Sequence, residues 1–189
     1  MEIEPTVFYL IRHGEGEHNV RNILSSYDDS EQFGLTETGQ RQIGVCAEEL
    51  GCEKVDIIFA SPLRRTRETA EIIASATGAE IVTDDRLRET DFGIHSGRQA
   101  SEFWAKYPDP LTRLEGEEKE GLEGVRAMRV RLESFLADVV EEYRGKHIAI
   151  VSHGDPIGVF HGILEGMALE TSVVSRSPRV GSWMKVMKK

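Results

Sequence analysis

Three short apolar runs, separated by stretches of helical periodicity, constrain the fold of this 189-residue chain more than any other feature. The runs are Val7–Ile11, Val55–Ala60 and His147–Ser152. Because each run is continuous rather than alternating, it is typical of a strand that is buried on both faces. Such strands belong to parallel sheets that are covered by helices. The pattern therefore predicts an α/β fold with a mainly parallel central sheet and helices on both faces.

The segments between these runs carry the signals of helices. Helices are predicted over Thr36–Leu50 and Ser61–Thr77, because each begins with a capping residue or a proline and each is followed by glycine. A third helix is predicted over residues 120–143, where apolar residues recur three and four positions apart, and a fourth from about Pro156. The arginines that lie off the apolar stripe of the third helix are expected on a solvated face: Arg126, Arg129 and Arg131.

The whole chain, residues 1–189, is predicted to form one domain, because its length suits a single hydrophobic core. The formal net charge of −10 disfavours nucleic acid and anionic membranes as partners, since both require a basic surface. Residues 1–5 carry acids where a signal peptide would be positive, and the apolar run that follows is too short to span a membrane. A cytoplasmic location is therefore expected. No feature of the sequence indicates an oligomeric state.

The two cysteines and the C-terminal tail allow only modest predictions. Cys46 and Cys52 have no histidine or cysteine neighbours at metal-ligand spacing, so they are expected to be small buried residues or inert thiols. In the tail, Ser182–Val186 is compatible with an edge strand.

Histidine followed by glycine stands just beyond the first apolar run, after Arg12, and directly after the third. These pairs are His13-Gly14 and His153-Gly154, and the second run leads into a helix with Arg65 in its first turn. Ligands of α/β proteins bind beyond the carboxyl ends of the parallel strands, so these side chains are expected at one site. Taken alone, Arg12-His13 fits an ion pair beside a buried histidine equally well. Likewise, a loop acid such as Glu89 is ordinarily an exposed surface residue.

Five short blocks, in order, resemble the signature blocks of the histidine phosphatase superfamily, which is also called phosphoglycerate-mutase-like. The resemblance covers about residues 7–160. The blocks are Arg12-His13-Gly14-Glu15 with Asn19, Leu35–Gln40, Ser61–Ala70, Leu87–Gly97 and Val151–Gly154. The chain departs from the pattern at Gly16, where the family often has a serine or threonine whose hydroxyl can touch phosphate. A second departure is Gly116-Glu117-Glu118, where the family often has Gly-Glu-Ser.

The resemblance implies a metal-independent phosphomonoester hydrolase that uses no cofactor. It implies that His13 attacks phosphorus to form a phosphohistidine and that Glu89 protonates the leaving oxygen. The other implied catalytic and phosphate-binding residues are Arg12, Asn19, Arg65, His153 and Gly154. The substrate is expected to be a small phosphorylated metabolite that loops 20–34 and 94–120 contact. Candidate contacts in and near these loops are Arg21, Ser25, Ser26, Arg88, Arg98 and Trp104.

Three alternatives remain open from the sequence. The first is a 2,3-bisphosphoglycerate-dependent phosphoglycerate mutase, but the stretch from Gly97 to Glu120 is short and leaves the site little shielded, which favours hydrolysis. The second is a phosphohistidine-protein phosphatase, although such relatives tend to lack the loop acid that Glu89 supplies. The third is a phosphate-binding module without catalytic activity. Such a module is expected to have lost at least one residue of the implied catalytic set, and His13, Arg65 and His153 are all present.

Overall fold

The computed structural model describes residues 4–26, 33–172 and 176–188. Five strands form one sheet in these residues: β1 (Thr6–Arg12), β2 (Ile57–Ala60), β3 (Glu80–Thr83), β4 (His147–Ser152) and β5 (Trp183–Lys188). Their order across the sheet is β3-β2-β4-β1-β5. All neighbouring pairs are parallel except β1 with β5, which is antiparallel. The predicted α/β fold with a mainly parallel sheet is therefore confirmed.

Seven α-helices lie in the same described ranges. They are α1 (Glu17–Val20), α2 (Glu37–Gly51), α3 (Arg64–Thr77), α4 (Ala100–Lys106), α5 (Val125–Glu142), α6 (Gly154–Leu164) and α7 (Leu169–Ser172). Helix α2 begins as predicted, because the Thr36 hydroxyl accepts a hydrogen bond from the amide of Gly39 at 3.0 Å. Helix α3 ends as predicted at Gly78, which adopts the left-handed conformation that favours glycine, with φ 73°.

Each face of the sheet carries its own hydrophobic core, because successive strand residues point to opposite sides. Phe8 and Leu10 of β1 belong to one core together with residues of α5 and α6. Val7, Tyr9 and Ile11 belong to the other, together with residues of α2 and α3. The predicted helices on both faces are thus confirmed. Five residues of the predicted apolar stripe of α5 lie in the first core: Val125, Met128, Leu132, Phe135 and Val139.

Two predicted helix starts are wrong. Helix α3 begins at Arg64 rather than Ser61, because the Ser61 amide still donates to a β4 carbonyl at 2.9 Å and so continues the sheet. Helix α5 begins at Val125 rather than near residue 120. The residues before it form a 3₁₀ turn that ends at Gly121, whose φ of 66° cannot continue a right-handed helix.

Four elements were not predicted from the sequence: α1, β3, α4 and α7. Helices α1 and α7 have only four residues each. Strand β3 is a four-residue edge strand whose side chains are exposed or half-buried, so it lacks the continuous apolar run of a central strand. Helix α4 has seven residues, and Gln99 at its N-cap provides no side-chain hydrogen bond. It therefore lacks the capping signal by which helix starts are recognised.

The C-terminal prediction is confirmed, because β5 pairs with β1 at the outer edge of the sheet. Of the cysteines, Cys46 is buried as expected, and its burial raises the thiol pKa to about 12. Cys52 is exposed, contrary to a buried role, because it lies at the solvent-facing end of α2. Within residues 4–26, 33–172 and 176–188, no helix combines the length and the apolar character needed to cross a bilayer.

Candidate active site

The strand order brings the two histidine-glycine pairs to one edge of the sheet. β1 and β4 are parallel neighbours in which Arg12 is paired with Ser152, so His13 and His153 follow at the same level. The His13 amide donates to the Ser152 carbonyl at 3.1 Å. β2 lies on the other side of β4, and its end places Ser61 beside His153. The expected convergence of strand ends therefore follows directly from the topology.

His13 is 1% exposed, and its Nδ1 lies 2.7 Å from the Gly14 carbonyl oxygen. Because a carbonyl can only accept, Nδ1 carries the proton and Nε2 keeps its lone pair. Burial lowers the pKa of His13 well below its usual value, and the Arg65 charge lowers it further. The ring is therefore neutral near pH 7. A neutral imidazole with a fixed tautomer has the properties of a nucleophile.

His153 lies beside His13, with the two ring centroids 5.2 Å apart. It is 0% exposed, its Nδ1 accepts from Arg65 Nε at 3.2 Å, and its Nε2 lies 2.9 Å from the Ser61 hydroxyl. Burial lowers its pKa well below the usual value, followed by the Arg65 charge. Both ring nitrogens already have protein partners. The predicted phosphate contact of His153 therefore stays a prediction, and it requires that one of these bonds be exchanged.

Arg65 is buried behind Ser25 rather than open to the cavity. Its Nη1 and Nη2 donate to the hydroxyl and carbonyl of Ser25 at 3.3 and 3.0 Å. Its charge lowers the pKa of each neighbouring imidazole, at His13 and His153 alike. A direct contact between Arg65 and phosphate remains a prediction, because Arg65 is not among the residues that line the cavity.

A cavity of about 210 Å³ opens beyond the strand ends. Seven predicted site residues line it: Arg12, His13, Asn19, Ser25, Glu89, Trp104 and Gly154. The Arg12 guanidinium packs against Gly154, where a Cβ atom would lie 3.1 Å from Arg12 Cζ. Arg12 Nε is buried and has no hydrogen-bond partner among the described residues. A buried donor without a partner requires an explanation, and an anion in the cavity provides one.

Asn19 reaches the cavity from α1. Its Oδ1 accepts a hydrogen bond from the Gly16 amide at 2.9 Å, which leaves its NH₂ group as the donor for a ligand. Four predicted substrate contacts do not line the cavity: Arg21, Ser26, Arg88 and Arg98. The Arg88 guanidinium pairs with Asp85 at 2.9 Å, and the Arg21 guanidinium lies 6.0 Å from the Phe33 ring. The Ser26 hydroxyl accepts from the Phe92 amide at 2.8 Å.

Glu89 enters the cavity from the loop after β3. Its Oε1 accepts from the Thr90 amide at 2.9 Å, and its Oε2 lies 3.9 Å from His153 Nδ1. Burial raises its pKa to about 7, and the nearby Asp155 carboxylate contributes to the rise. Glu89 is therefore close to half protonated near pH 7. A carboxyl group in this state can both give and take a proton at physiological pH.

Arg131 positions the loop that carries Glu89. Its guanidinium donates to the backbone carbonyls of Arg86 and Glu89 and pairs with Glu123 at 2.7 Å. The prediction of a solvated face is therefore wrong for Arg131. It is also wrong for Arg129, which is half-buried and donates to the Met167 carbonyl at 2.9 Å, whereas Arg126 is exposed as expected. Helical periodicity identifies only the position of Arg131 off the apolar stripe. It contains no information about a loop 42 residues earlier that folds against α5.

Asp155 is a site residue that the sequence analysis missed. It lines the cavity, accepts from Thr90 Oγ1 at 3.2 Å and pairs with Arg113 Nη1 at 2.8 Å. Its charge is one cause of the raised pKa of Glu89. Its place directly after His153-Gly154 was a usable signal, because it shares their strand end.

His18 is a second missed residue. It lines the cavity with its ring centroid 5.5 Å from that of His13. Burial, followed by the charges of Arg65 and Arg12, lowers its pKa to about 3, so the ring is neutral. A Cβ atom built on Gly16 would lie 2.8 Å from His18 Nδ1. The imidazole therefore occupies space that a side chain at position 16 would need, which explains why this chain has glycine there.

Gly16→Ser is expected to lower the free energy of unfolding by roughly 1–3 kcal/mol, because the added atoms overpack the site against His18. In a His18→Ala background the same change is expected to lower it by less than about 0.5 kcal/mol, since the obstructing ring is gone. Urea unfolding of the wild type, Gly16→Ser, His18→Ala and the double variant measures the coupling free energy between positions 16 and 18. Gly44→Ser is the control, because a Cβ at Gly44 meets nothing within 4 Å. An equal loss in both backgrounds would refute the steric coupling.

The described residues define a class of protein: an α/β protein with a buried, neutral histidine beside two arginines at the carboxyl edge of its sheet. Residues 8–176 match the family model described as the histidine phosphatase superfamily (branch 1). The chain therefore belongs to the histidine phosphatase superfamily, and the resemblance seen in its sequence blocks is confirmed.

Similar proteins carry two kinds of name. Phosphoserine phosphatase 1 of Hydrogenobacter thermophilus is 34% identical over 164 residues, which cover 85% of this chain and 76% of the relative. A probable phosphoglycerate mutase, GpmB, of Photorhabdus laumondii is 34% identical over 165 residues, which cover 84% of this chain and 74% of the relative.

Solved structures share the fold. Mycobacterial glucosyl-3-phosphoglycerate phosphatase in complex with VO3 superposes with a TM-score of 0.82 at 24% identity, and the match covers 95% of this chain and 90% of that one. At this identity the likeness shows the fold alone. The α-ribazole phosphatase of Shigella flexneri has a TM-score of 0.79 at 25% identity, and the match covers 95% of this chain and 89% of that one.

Proposed function

We propose that the chain hydrolyses small phosphomonoesters in two steps through a phosphohistidine on His13. In the first step Nε2 of His13 attacks phosphorus, the bond to the leaving oxygen breaks, and the Glu89 carboxyl group gives its proton to that oxygen. In the second step water attacks the phosphohistidine while the Glu89 carboxylate takes a proton from that water. Inorganic phosphate leaves, and His13 and protonated Glu89 are regenerated.

One observation carries this proposal. The 2.7 Å contact between His13 Nδ1 and the Gly14 carbonyl fixes the tautomer, so the unprotonated Nε2 belongs to a ring that lines the cavity. Because burial keeps this ring neutral, its lone pair is available near pH 7. The partly protonated Glu89 lines the same cavity and provides the acid that the leaving group requires.

The enzyme class rests on the comparisons. The chain is a phosphoric monoester hydrolase of the histidine phosphatase type, as its family and its phosphatase-named relatives show. The sequence prediction of this class is thus confirmed. Relatives named as phosphoserine phosphatases support a small phosphorylated substrate.

The roles of the remaining site residues follow from charge and geometry. Arg12 supplies an unpartnered donor, and Asn19 a free NH₂ group, to the phosphate oxygens. One guanidinium–phosphate pair at 4 Å is worth about 4 kcal/mol at an effective dielectric of 20, before desolvation. Arg65 and His153 are the other predicted phosphate contacts, and Arg65 lies on the far side of Ser25 from the cavity. Gly154 leaves room for the Arg12 guanidinium. This local charge outweighs the formal net charge of −10, which is spread over the whole chain.

The proposed reaction needs no metal and no cofactor, because protein donors neutralise the phosphate and His13 is the nucleophile. We also propose a cytoplasmic location. The acidic net charge argues against nucleic acid as a partner.

A mutase is the second candidate, because several relatives carry that name. In a mutase, the phosphohistidine would return its phosphate to a bound phosphoglycerate instead of water. The two functions are separated by incubating the enzyme with 3-phosphoglycerate in the presence of a chelator. Inorganic phosphate as the main product supports the phosphatase, and conversion to 2-phosphoglycerate supports the mutase.

Phosphoenzyme trapping tests the covalent step itself. Rapid quenching during turnover of a labelled aryl phosphate is expected to yield an acid-labile, alkali-stable phosphoenzyme, as phosphohistidine requires. Steady turnover with no such species would exclude the two-step mechanism. It would leave direct attack of water on the substrate as the alternative.

A further inference from the structure

We propose that the cavity next to the phosphate site selects phosphomonoesters whose organic part is aromatic or apolar, and disfavours those that carry a carboxylate. This inference rests on the proposed phosphatase function and assigns the substrate class of the same site. It differs from what the names of the relatives indicate, because phosphoserine and phosphoglycerate both carry a carboxylate.

One wall of the cavity is apolar. Its residues come from three separate segments and are Ile23, Leu24, Phe92, Ala100 and Trp104. Leu24, Phe92 and Ala100 also belong, with Phe103 and Leu122, to a small hydrophobic core that is distinct from the two cores of the sheet. Backbone hydrogen bonds tie the segments together, including Leu24 N to Arg98 O at 3.0 Å and Ala100 N to Asn22 O at 2.8 Å. The wall is therefore built into the fold rather than formed by isolated surface side chains.

Trp104 is the largest side chain of this wall, and 42% of it is exposed. Its position is nevertheless fixed. Phe103 packs edge-on against it with centroids 4.9 Å apart, and the Arg113 guanidinium lies 5.2 Å from its ring centroid. An ordered, exposed indole at the mouth of a cavity offers a planar surface to an apolar or aromatic ligand.

The charges around the cavity disfavour a second anionic group on the substrate. Arg12 is the one lysine or arginine among the described lining residues, and it lies against Gly154 at the phosphate end. Arg113 is 2% exposed and already pairs with Asp155.

The carboxylates of the cavity add to this effect. Asp155 lines it beside Glu89, so a substrate carboxylate placed beyond the phosphate would meet the Asp155 carboxylate and, among the described lining residues, no lysine or arginine to pair with at that end. Leaving such a group desolvated and unpaired is unfavourable. An apolar organic part, by contrast, gains from contact with the wall.

The test compares substrates that all release a primary alcohol, so that leaving-group chemistry does not decide the outcome. The set is 2-phenylethyl phosphate, glycerol 3-phosphate, phosphoserine and 3-phosphoglycerate. We expect kcat/KM for 2-phenylethyl phosphate to exceed that for either carboxylate substrate by about tenfold or more. Glycerol 3-phosphate, which is polar but carries no carboxylate, is expected to fall between them.

Trp104→Ala is the matching variant. It is expected to lower kcat/KM for 2-phenylethyl phosphate by about tenfold, mostly through KM, and to change that for glycerol 3-phosphate by less than about twofold. Trp183→Ala removes the other tryptophan of the chain, which lies on β5 against Tyr9 at 5.7 Å, and serves as control. Thermal unfolding of both variants confirms that each is folded under assay conditions.

The outcomes separate this inference from the function on which it rests. If none of the four esters is hydrolysed, and no aryl phosphate either, the proposed function is wrong and the inference with it. If hydrolysis is efficient but phosphoserine or 3-phosphoglycerate is the best substrate, the phosphatase stands and the apolar selectivity is overturned. An equal loss for all substrates in Trp104→Ala likewise overturns the role of the apolar wall.

Discussion

His13→Ala is expected to lower kcat for an aryl phosphate by roughly 10⁴-fold or more, as removal of a covalent nucleophile does in other enzymes. The loss corresponds to about 5 kcal/mol or more of transition-state stabilisation. The physical reason is that the variant loses Nε2, the proposed nucleophile, and that the nearest imidazole is not free to take its place. His153 is the nearest imidazole, but Arg65 and Ser61 hold both of its ring nitrogens. Steady-state kinetics and phosphoenzyme trapping measure the effect, and both activity and the trapped species are expected to disappear.

His147→Ala is the matched control. His147 is the first residue of β4 and lies at the amino end of the strands, away from the cavity. Its Nδ1 is 3.0 Å from the Tyr9 hydroxyl. Loss of this histidine is expected to leave kcat within about twofold, whatever it does to stability. If His13→Ala retained more than about one hundredth of the wild-type kcat, the covalent mechanism would have to be abandoned. Circular dichroism of both variants shows whether the fold is intact.

The parts of the site that follow strand ends could be predicted from sequence. His13 and His153 stand two residues and one residue beyond an apolar run, and the rule for parallel sheets places such positions at one edge. This prediction needs only the positions of the strand ends and no side-chain detail. In the structure, Arg12 pairs with Ser152, so His13 and His153 lie at the same level. Local pattern and topology point in the same direction here.

Residues that depend on tertiary packing could not be predicted in this way. His18 reaches the cavity only because Gly16 leaves room for its ring, and nothing in the local sequence distinguishes it from a surface histidine. Arg131 lies off an apolar stripe, which fits a solvated residue as well as one that holds a distant loop. Arg65 was correctly placed in the first turn of α3. Its burial behind Ser25 depends on a loop whose path the sequence does not reveal.

Asp155 and Glu89 show the same limit for electrostatics. A sequence gives the number of carboxyl groups but not the distance between them. The raised pKa of Glu89 depends first on its burial and then on the approach of Asp155, a residue 66 positions later in the chain. The sequence analysis nevertheless required that Glu89 be protonated near neutral pH. The fold supplies a cause for that protonation.

Glu89→Gln is expected to lower kcat/KM for alkyl phosphates by roughly 10²- to 10⁴-fold, the usual contribution of a general acid. Alkyl alcohols are poor leaving groups and need the proton, whereas 4-nitrophenolate does not. The first step with 4-nitrophenyl phosphate is therefore expected to change much less. Glu89 also acts as base in the second step, so the variant should show a burst of nitrophenol followed by slow turnover. A series of substrates whose leaving groups differ in pKa measures the first effect, and stopped-flow kinetics measure the burst.

The pH dependence provides an independent check on Glu89. With a pKa of about 7, Glu89 is about half protonated at pH 7, compared with roughly 0.3% for an unperturbed glutamate of pKa 4.5. Above pH 7 the acid form is lost, so kcat/KM for an alkyl phosphate should fall about tenfold per pH unit. In Glu89→Gln this basic limb should vanish, because glutamine does not titrate.

Asp155→Asn is expected to move the same limb to lower pH. The Asp155 charge disfavours ionisation of Glu89, so its removal lets the Glu89 proton leave at a lower pH, and the acid form is lost earlier as the pH rises. Asparagine keeps an oxygen that can accept hydrogen bonds from Arg113 and Thr90, so the arrangement of these side chains is expected to be preserved. A shift of the limb to higher pH, or its persistence in Glu89→Gln, would show that another group supplies the proton. In that case Asp155 would have no catalytic effect through Glu89, and the closeness of these two side chains would be a matter of packing alone.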